Sequence, residues 1–249
     1  MVRGLDTFRE YFEEFEEQYV LIGGAACDIL FASNEGQFRA TRDLDMVLIV
    51  EALTPEFGEK FWEFVEEGQY RNKAISIGKP QFYRFDKPEN EAYPKMIELF
   101  ARTDFELREM DGLTPIHIDD EVSSLSAILL DEDYYSILLA GKGVVQELSV
   151  LRPVYLILFK AKAYLDLSDR KEQGENVDSR DIRKHKNDIL RIAVEFILEG
   201  VSNLPATVTK DMKLFIEKLE AEPFDVGMLK NYGVSNDELV DNLRELYNI

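Results

Sequence analysis

The chain has 249 residues, with 49 acidic side chains against 29 Lys and Arg, a formal charge of −20. Its 45% apolar and 11% aromatic content supplies a real core and excludes compositional disorder, over a length that suits one large domain or two modest ones. One Cys and two His exclude a disulfide framework and a Cys-based zinc site, and the acidity argues against a general nucleic-acid binder, which neutralises phosphate with Lys and Arg.

No stretch reaches the ~20 apolar residues of a membrane span, and the start, MVRGLDTFREYF, lacks a signal-peptide apolar core. A cytoplasmic protein without membrane partners is expected. The charge is uneven. Residues 1–150 hold 14 basic and 31 acidic side chains, and residues 151–249 hold 15 and 18. Two parts with different surfaces follow, 1–150 and 151–249.

In chain order, residues 6–18 read as an amphipathic helix, with Phe8, Tyr11, Phe12 and Phe15 on one side and five Glu on the other. Tyr19 to Ile22 is a short strand that stops at Gly23-Gly24, and Ala25 to Ala32 is a helix carrying Cys27 in its packing. The polar stretch Ser33 to Arg42 leads into the strand Leu44 to Val50. Pro55 opens a helix through Glu67 whose Trp62 and Phe residues belong to the core. Strands are expected at Ala74–Ile77, Gln81–Phe85, Lys95–Ala101, Pro115–Ile118 and Leu125–Leu130, and a hairpin turn at Lys142 between its two glycines.

After Leu151 the pattern turns helical. Pro153 suits a first helical turn, with the helix reaching Leu167. A polar loop, Ser168 to Val177, precedes a helix capped by Asp178 or Ser179 and ending near Gly200. A third helix lies around Lys210 to Ala221. The last begins at Ser235 with Glu238 three residues on, the spacing of a capping box.

The stretch Tyr19 to Val50 carries the chemistry. Alternation places Asp43 and Asp45 on one strand face, about 7 Å apart, where two carboxylates can share a hard divalent cation such as Mg²⁺. Gly23 and Gly24 let the backbone approach an anionic group, and the helix start that follows favours phosphate. A phosphate cradle beside a carboxylate pair points to metal-assisted phosphoryl or nucleotidyl transfer. Each feature alone is common in purely structural settings; their order, strand–helix–strand, favours function.

The run Val20-Leu21-Ile22-Gly23-Gly24 through Arg39-Ala40-Thr41-Arg42-Asp43-Leu44-Asp45 resembles the signature of DNA-polymerase-β-like nucleotidyltransferases. More narrowly it resembles the AbiEii/AbiGii toxin family, with its Gly-Gly or Gly-Ser turn followed by Arg-x-Thr-x-Asp-hydrophobic-Asp. Lys160-Ala161-Lys162-Ala163 looks like that family's Lys-x-x-Ala helix, and Lys184-His185-Lys186-Asn187-Asp188-Ile189 like its downstream Lys/Asp helix. The resemblance spans roughly residues 19–198. It implies an α+β chain: an N-terminal polymerase-β-like mixed sheet with flanking helices, then a C-terminal helical bundle. It also implies an NTP substrate, Mg²⁺ or Mn²⁺, and an acceptor that is an RNA end such as tRNA, a protein or a small molecule. A toxin–antitoxin or phage-defence setting, with an antitoxin encoded nearby, belongs to the same implication.

The family further implies a third carboxylate on a neighbouring strand, so the metal set becomes Asp43, Asp45 and Glu98. Glu98 is a lone charge within Met96-Ile97-Glu98-Leu99-Phe100, and alternation alone would also let it face solvent; Asp104 is the fallback. Lys160 has Leu156, Ile157, Ala163 and Tyr164 at helical spacing, so its ammonium must snorkel or meet an anion. It is the favoured phosphate contact, whereas Lys162 forms an ordinary surface pair with Asp166. Asp188 would orient Lys160 or a substrate group, and His185 reads as a partly buried, hydrogen-bonded residue. Gly23, Gly24, Arg39 and Thr41 complete the nucleotide site; the motif favours Arg39 over Arg42 as the inward arginine. Residues 180–191 form a basic island of net +3, either a landing place for triphosphate or RNA or a solvated face. A catalytically inactive nucleotide-binding or protein-interaction module on the same fold is the alternative.

Overall fold

The structure, a computed structural model, describes residues 2–75, 81–101, 128–129 and 131–249. The expected strand Pro115–Ile118, the end of the one at Ala74–Ile77 and the fallback carboxylate Asp104 lie outside the described residues. So does most of Leu125–Leu130, whose described members Ile128 and Leu129 are helical rather than extended. The chain divides into two compact units, Met1–Asp119 with Lys142–Arg152, and Asp120–Gly141 with Pro153–Ile249.

The first unit holds a seven-stranded mixed sheet. Its strands are β1 (Tyr19–Leu21), β2 (Asp43–Leu48), β3 (Tyr70–Ile75), β4 (Gln81–Pro88), β5 (Met96–Ala101), β6 (Lys142–Val145) and β7 (Leu148–Leu151), in the order β3-β4-β5-β2-β1-β7-β6. The β2–β5 and β1–β7 pairs are parallel and the others antiparallel. Helices α1 (Leu5–Phe12), α2 (Gly23–Ser33) and α3 (Pro55–Glu67) flank it.

Period-2 alternation shapes β2. Leu44, Met46 and Leu48 are buried on one face, and Val47 is buried on the other, which its first residues Asp43 and Asp45 share half-exposed. α3 starts where Thr54 caps it and Pro55 presets the first turn. Its Phe57, Phe61, Trp62 and Phe64 are buried as expected, with Phe61 and Trp62 meeting Phe85 of β4 at 5.4 and 5.9 Å between ring centroids. Phe8 and Phe12 join the same aromatic layer through Tyr19 and Phe64. Cys27 is buried within α2.

Several boundaries differ from the sequence expectation, among them the helix from Pro153, which runs past Leu167 to Glu172 through the start of the expected loop. The helix expected over 6–18 stops at Phe12, because tight turns (Phe15 N to Phe12 O, Gln18 N to Phe15 O) fold the chain back. Phe15 then packs on Phe12 and Phe57, and Tyr19 enters the sheet. The β6–β7 hairpin exists, but it turns at Gln146-Glu147, both at positive φ (50° and 61°). Lys142 is a strand residue, and its neighbour Gly143 leaves room for Arg152, whose Cγ would stand 3.1 Å from an added Cβ.

The second unit is helical: α4 (Glu132–Gly141), α5 (Pro153–Glu172), α6 (Ser179–Glu195), α7 (Ala206–Ala221), α8 (Val226–Tyr232) and α9 (Asn236–Tyr247). Asp178 caps α6 by accepting from Arg180 N. That helix ends at Glu195, short of Gly200, since Phe196 is extended and Val201 N donates to Leu246 O at 2.8 Å. The short α8, capped by Asp225, is not marked by apolar periodicity. The capping box at Ser235 forms as expected, with Glu238 N donating to Ser235 Oγ and Ser235 N to Glu238 Oε2. Tyr247 Oη donates to Val154 O at 2.6 Å and ties α9 to the start of α5. Among the described residues no helix is long and apolar enough to cross a membrane.

Candidate functional site

The parallel pairing of β2 with β5 decides the acidic site. Asp45 lies opposite Glu98, and Asp43 opposite Met96. Adjacent strands stand about 4.8 Å apart, so Asp45 and Glu98 are lateral neighbours on the face that also carries Asp43. On the far side of β5, the antiparallel register sets Arg84 of β4 opposite Glu98 and Asp86 opposite Met96. One row of this face therefore reads Asp45, Glu98, Arg84, and the next reads Asp43, Met96, Asp86. Neither Arg84 nor Asp86 is singled out by the sequence reading. The available signal was a lone Arg in an aromatic strand, Phe82-Tyr83-Arg84-Phe85, the cationic counterpart of the lone Glu98 in an apolar one.

Glu98 is buried, its side chain 8% exposed, and it is not solvent-facing. Arg84 donates from Nε at 2.8 Å and from Nη2 at 2.5 Å, both to Oε1. Burial pushes the Glu98 carboxyl above the usual carboxylate range; Arg84 and a hydrogen bond with Asp45 pull it down, and the charge on Asp43 pushes it up.

The glycine turn closes the other side of Asp45. Gly23 has φ +63°, a left-handed conformation that L side chains avoid, and a Cβ there would run into the Asp45 carboxylate. A Cβ on Gly24 would stand 2.6 Å from Thr41 Oγ1. Ile22 N donates to Asp45 O at 3.0 Å, locking the strand end before the turn to the residue that carries the carboxylate. Gly23, Gly24, Thr41, Asp43, Asp45 and Glu98 are thus gathered at one rim of the sheet. Arg39 is half-buried with its guanidinium 5.1 Å above the Phe38 ring, which itself leans on Phe31 of α2, while Arg42 is exposed.

In the second unit Lys160 meets an anion rather than snorkelling. Its Nζ donates to Asp188 Oδ2 at 2.8 Å, with side chains only 5% and 2% exposed. His185 is buried on the same helix, α6. Lys162 is more than a surface pair: it bridges Asp166 at 3.1 Å and Asp211 at 3.3 Å, and Asp211 also accepts from Tyr134 Oη. The basic island is largely committed locally. Arg180 pairs with Asp178, Arg191 with Glu195, and Lys186 donates to the carbonyls of Glu222 and Pro223 at the end of α7.

Oxygen donors alone on a sheet rim are what Mg²⁺ or Mn²⁺ take, so the chemistry of Asp43, Asp45 and Glu98 fits such an ion. Among the described residues no three His, Cys, Asp or Glu side chains stand together as a group that could hold a metal ion. No protein-family model matches the chain, and no curated protein matches its sequence.

Proposed function

We propose that the protein is a Mg²⁺-dependent nucleotidyltransferase of polymerase-β-like arrangement, moving a nucleoside monophosphate from an NTP to an acceptor hydroxyl with release of pyrophosphate. One observation carries the reading: the Asp45–Glu98 register, with Asp43 two residues away on the same face. It supplies three carboxylates at a rim whose neighbouring turn, Gly23-Gly24, lets the chain pass close to Asp45.

Asp43, Asp45 and Glu98 would hold the divalent cations, which when bound neutralise the triphosphate and lower the pKa of the acceptor hydroxyl. Glu98 or Asp45 would be available to take that hydroxyl's proton. Thr41 and the Gly23-Gly24 backbone would border the phosphates, and α2 begins there with its free N–H groups. Arg39 would supply positive charge beside them. For Lys160 the resemblance implies a phosphate contact, and Asp188 holds its ammonium in one charged rotamer.

The acceptor class follows from the same resemblance: an RNA end such as tRNA, with protein and small molecules behind it, in a toxin or phage-defence role beside an antitoxin. The test is incubation with each α-labelled NTP, Mg²⁺ and total RNA, protein or an aminoglycoside. Label transfer to RNA that vanishes in Asp45→Ala is the expected result. Nucleotide binding with no transfer to any acceptor overturns it in favour of a non-catalytic nucleotide-binding module, a reading favoured by the hold of Arg84 on Glu98.

A further inference from the structure

One oxygen of the third carboxylate is already held by the chain itself. Arg84 places two N–H donors on a single oxygen, Glu98 Oε1. Both donors sit on Oε1, so a divalent cation that uses that oxygen must compete with the guanidinium, and even one held by Oε2 meets its like charge across a partly dehydrated site. An ion that takes Oε1 must first move Arg84. The fold offers a place for it to go. Asp86 lies two residues along β4, on the face that carries Arg84, about 7 Å away and within the reach of an arginine side chain. Asp86 Oδ1 is buried without a hydrogen-bond partner among the described residues, and a buried oxygen left in that state is costly.

We propose that Arg84 is the acidic site's own counter-cation: it neutralises Glu98 in the metal-free protein and shifts along β4 to Asp86 when a divalent cation takes that carboxylate. Arg84 is then a positioning residue that sets the metal affinity of the site by competition. The inference rests on reading Asp43, Asp45 and Glu98 as metal ligands. It also gives Asp86 Oδ1 the partner that it lacks among the described residues.

The test reads Mn²⁺ binding, not turnover. Free Mn²⁺ is followed by its electron paramagnetic resonance signal during titration of wild type, Arg84→Gln, Asp86→Asn, Asp45→Asn and Arg71→Gln. Arg71 pairs with Glu89 on the exposed surface and controls for simple loss of one positive charge. Competition predicts that Arg84→Gln binds Mn²⁺ about tenfold more tightly, within the range of ordinary coupling between two ligands. Asp86→Asn binds more weakly than wild type, and Arg71→Gln is unchanged. Should Arg84→Gln fail to fold, Arg84→Lys reads the same competition, because an ammonium cannot make the forked contact and yields Glu98 more easily. Mn²⁺ binding that depends on Asp45 but is no tighter in Arg84→Gln or Arg84→Lys overturns the inference and leaves the metal reading standing. Equal tightening in Arg71→Gln also overturns it. Unaltered binding in Asp86→Asn removes Asp86 as the receiving group. No Mn²⁺ binding in any of the proteins overturns both the inference and the metal site.

Discussion

Glu98 and Arg84 face each other across two antiparallel strands, and the arginine places both its Nε and its Nη2 on the same carboxylate oxygen. With side chains 8% (Glu98) and 16% (Arg84) exposed, this is a mostly buried pair. Removing one member of such a pair strands the other charge. Arg84→Ala should lower stability by about 3 kcal/mol, measured by urea unfolding at neutral pH without added metal. Mn²⁺ should restore part of that loss, because an ion that binds only the folded state stabilises it by mass action. A loss that Mn²⁺ leaves untouched would show Arg84 to be structural only.

Gly23 makes the second prediction. Its φ of +63° and the position of the Asp45 carboxylate both exclude a side chain. Gly23→Ala should cost about 1–2 kcal/mol from the left-handed backbone alone, and should abolish Mn²⁺ binding by pushing Asp45 aside. Thermal unfolding and the Mn²⁺ titration give the two readouts separately. Gly58→Ala is the control, since a Cβ there meets nothing within 4 Å.

Lys160 and Asp188 form the most deeply buried ion pair of the second unit among the described residues. Either Lys160→Met or Asp188→Leu should destabilise by about 3–5 kcal/mol, while the double variant should lose much less than the sum. Additive losses in denaturant titrations would count against the pair as a unit. In the label-transfer assay the double variant, folded but without its ammonium, should be inactive if Lys160 contacts phosphate.

Asp178 gives the pH dependence. The side-chain hydrogen bond from Arg180, then the bond from its backbone N–H, hold the Asp178 carboxyl at about 2, below the ordinary value near 3.9. A carboxyl depressed on folding stabilises the protein above its unfolded value, and that contribution is lost as pH falls through the folded value. The advantage of wild type over Asp178→Asn, an alternative N-cap residue, should therefore be constant above about pH 5 and shrink between pH 4 and pH 2. Thermal melts across that range check it. An advantage that grows on acidification would contradict the assignment.

Much of the architecture was legible from local rules. The span Pro55–Glu67, the cap at Asp178 and the capping box at Ser235 are written in residue types whose backbone preferences act within a few positions. Strand alternation likewise put Asp43 and Asp45 on one face before any partner strand was known. Local rules misplaced the hairpin turn, because Gly143 answers to Arg152 packing rather than to turn geometry, and Gln146 and Glu147 took positive φ without being glycines. They also overran α1, where the aromatic contacts of Phe15 outweigh helix periodicity.

By itself the sequence determined the charge, the glycine turn, the paired aspartates and the apolar surroundings that make Lys160 either snorkel or meet an anion. Only the tertiary structure decided which carboxylate stands beside Asp45, which cation holds it and which anion Lys160 meets. Strand register is a long-range choice, made when the buried face of each strand is matched to its neighbours. A shift of one residue in β5 would turn Glu98 to the other face and bring an apolar side chain beside Asp45. Arg84, fourteen residues from Glu98 in the chain and opposite it in the sheet, becomes visible only once that register is set.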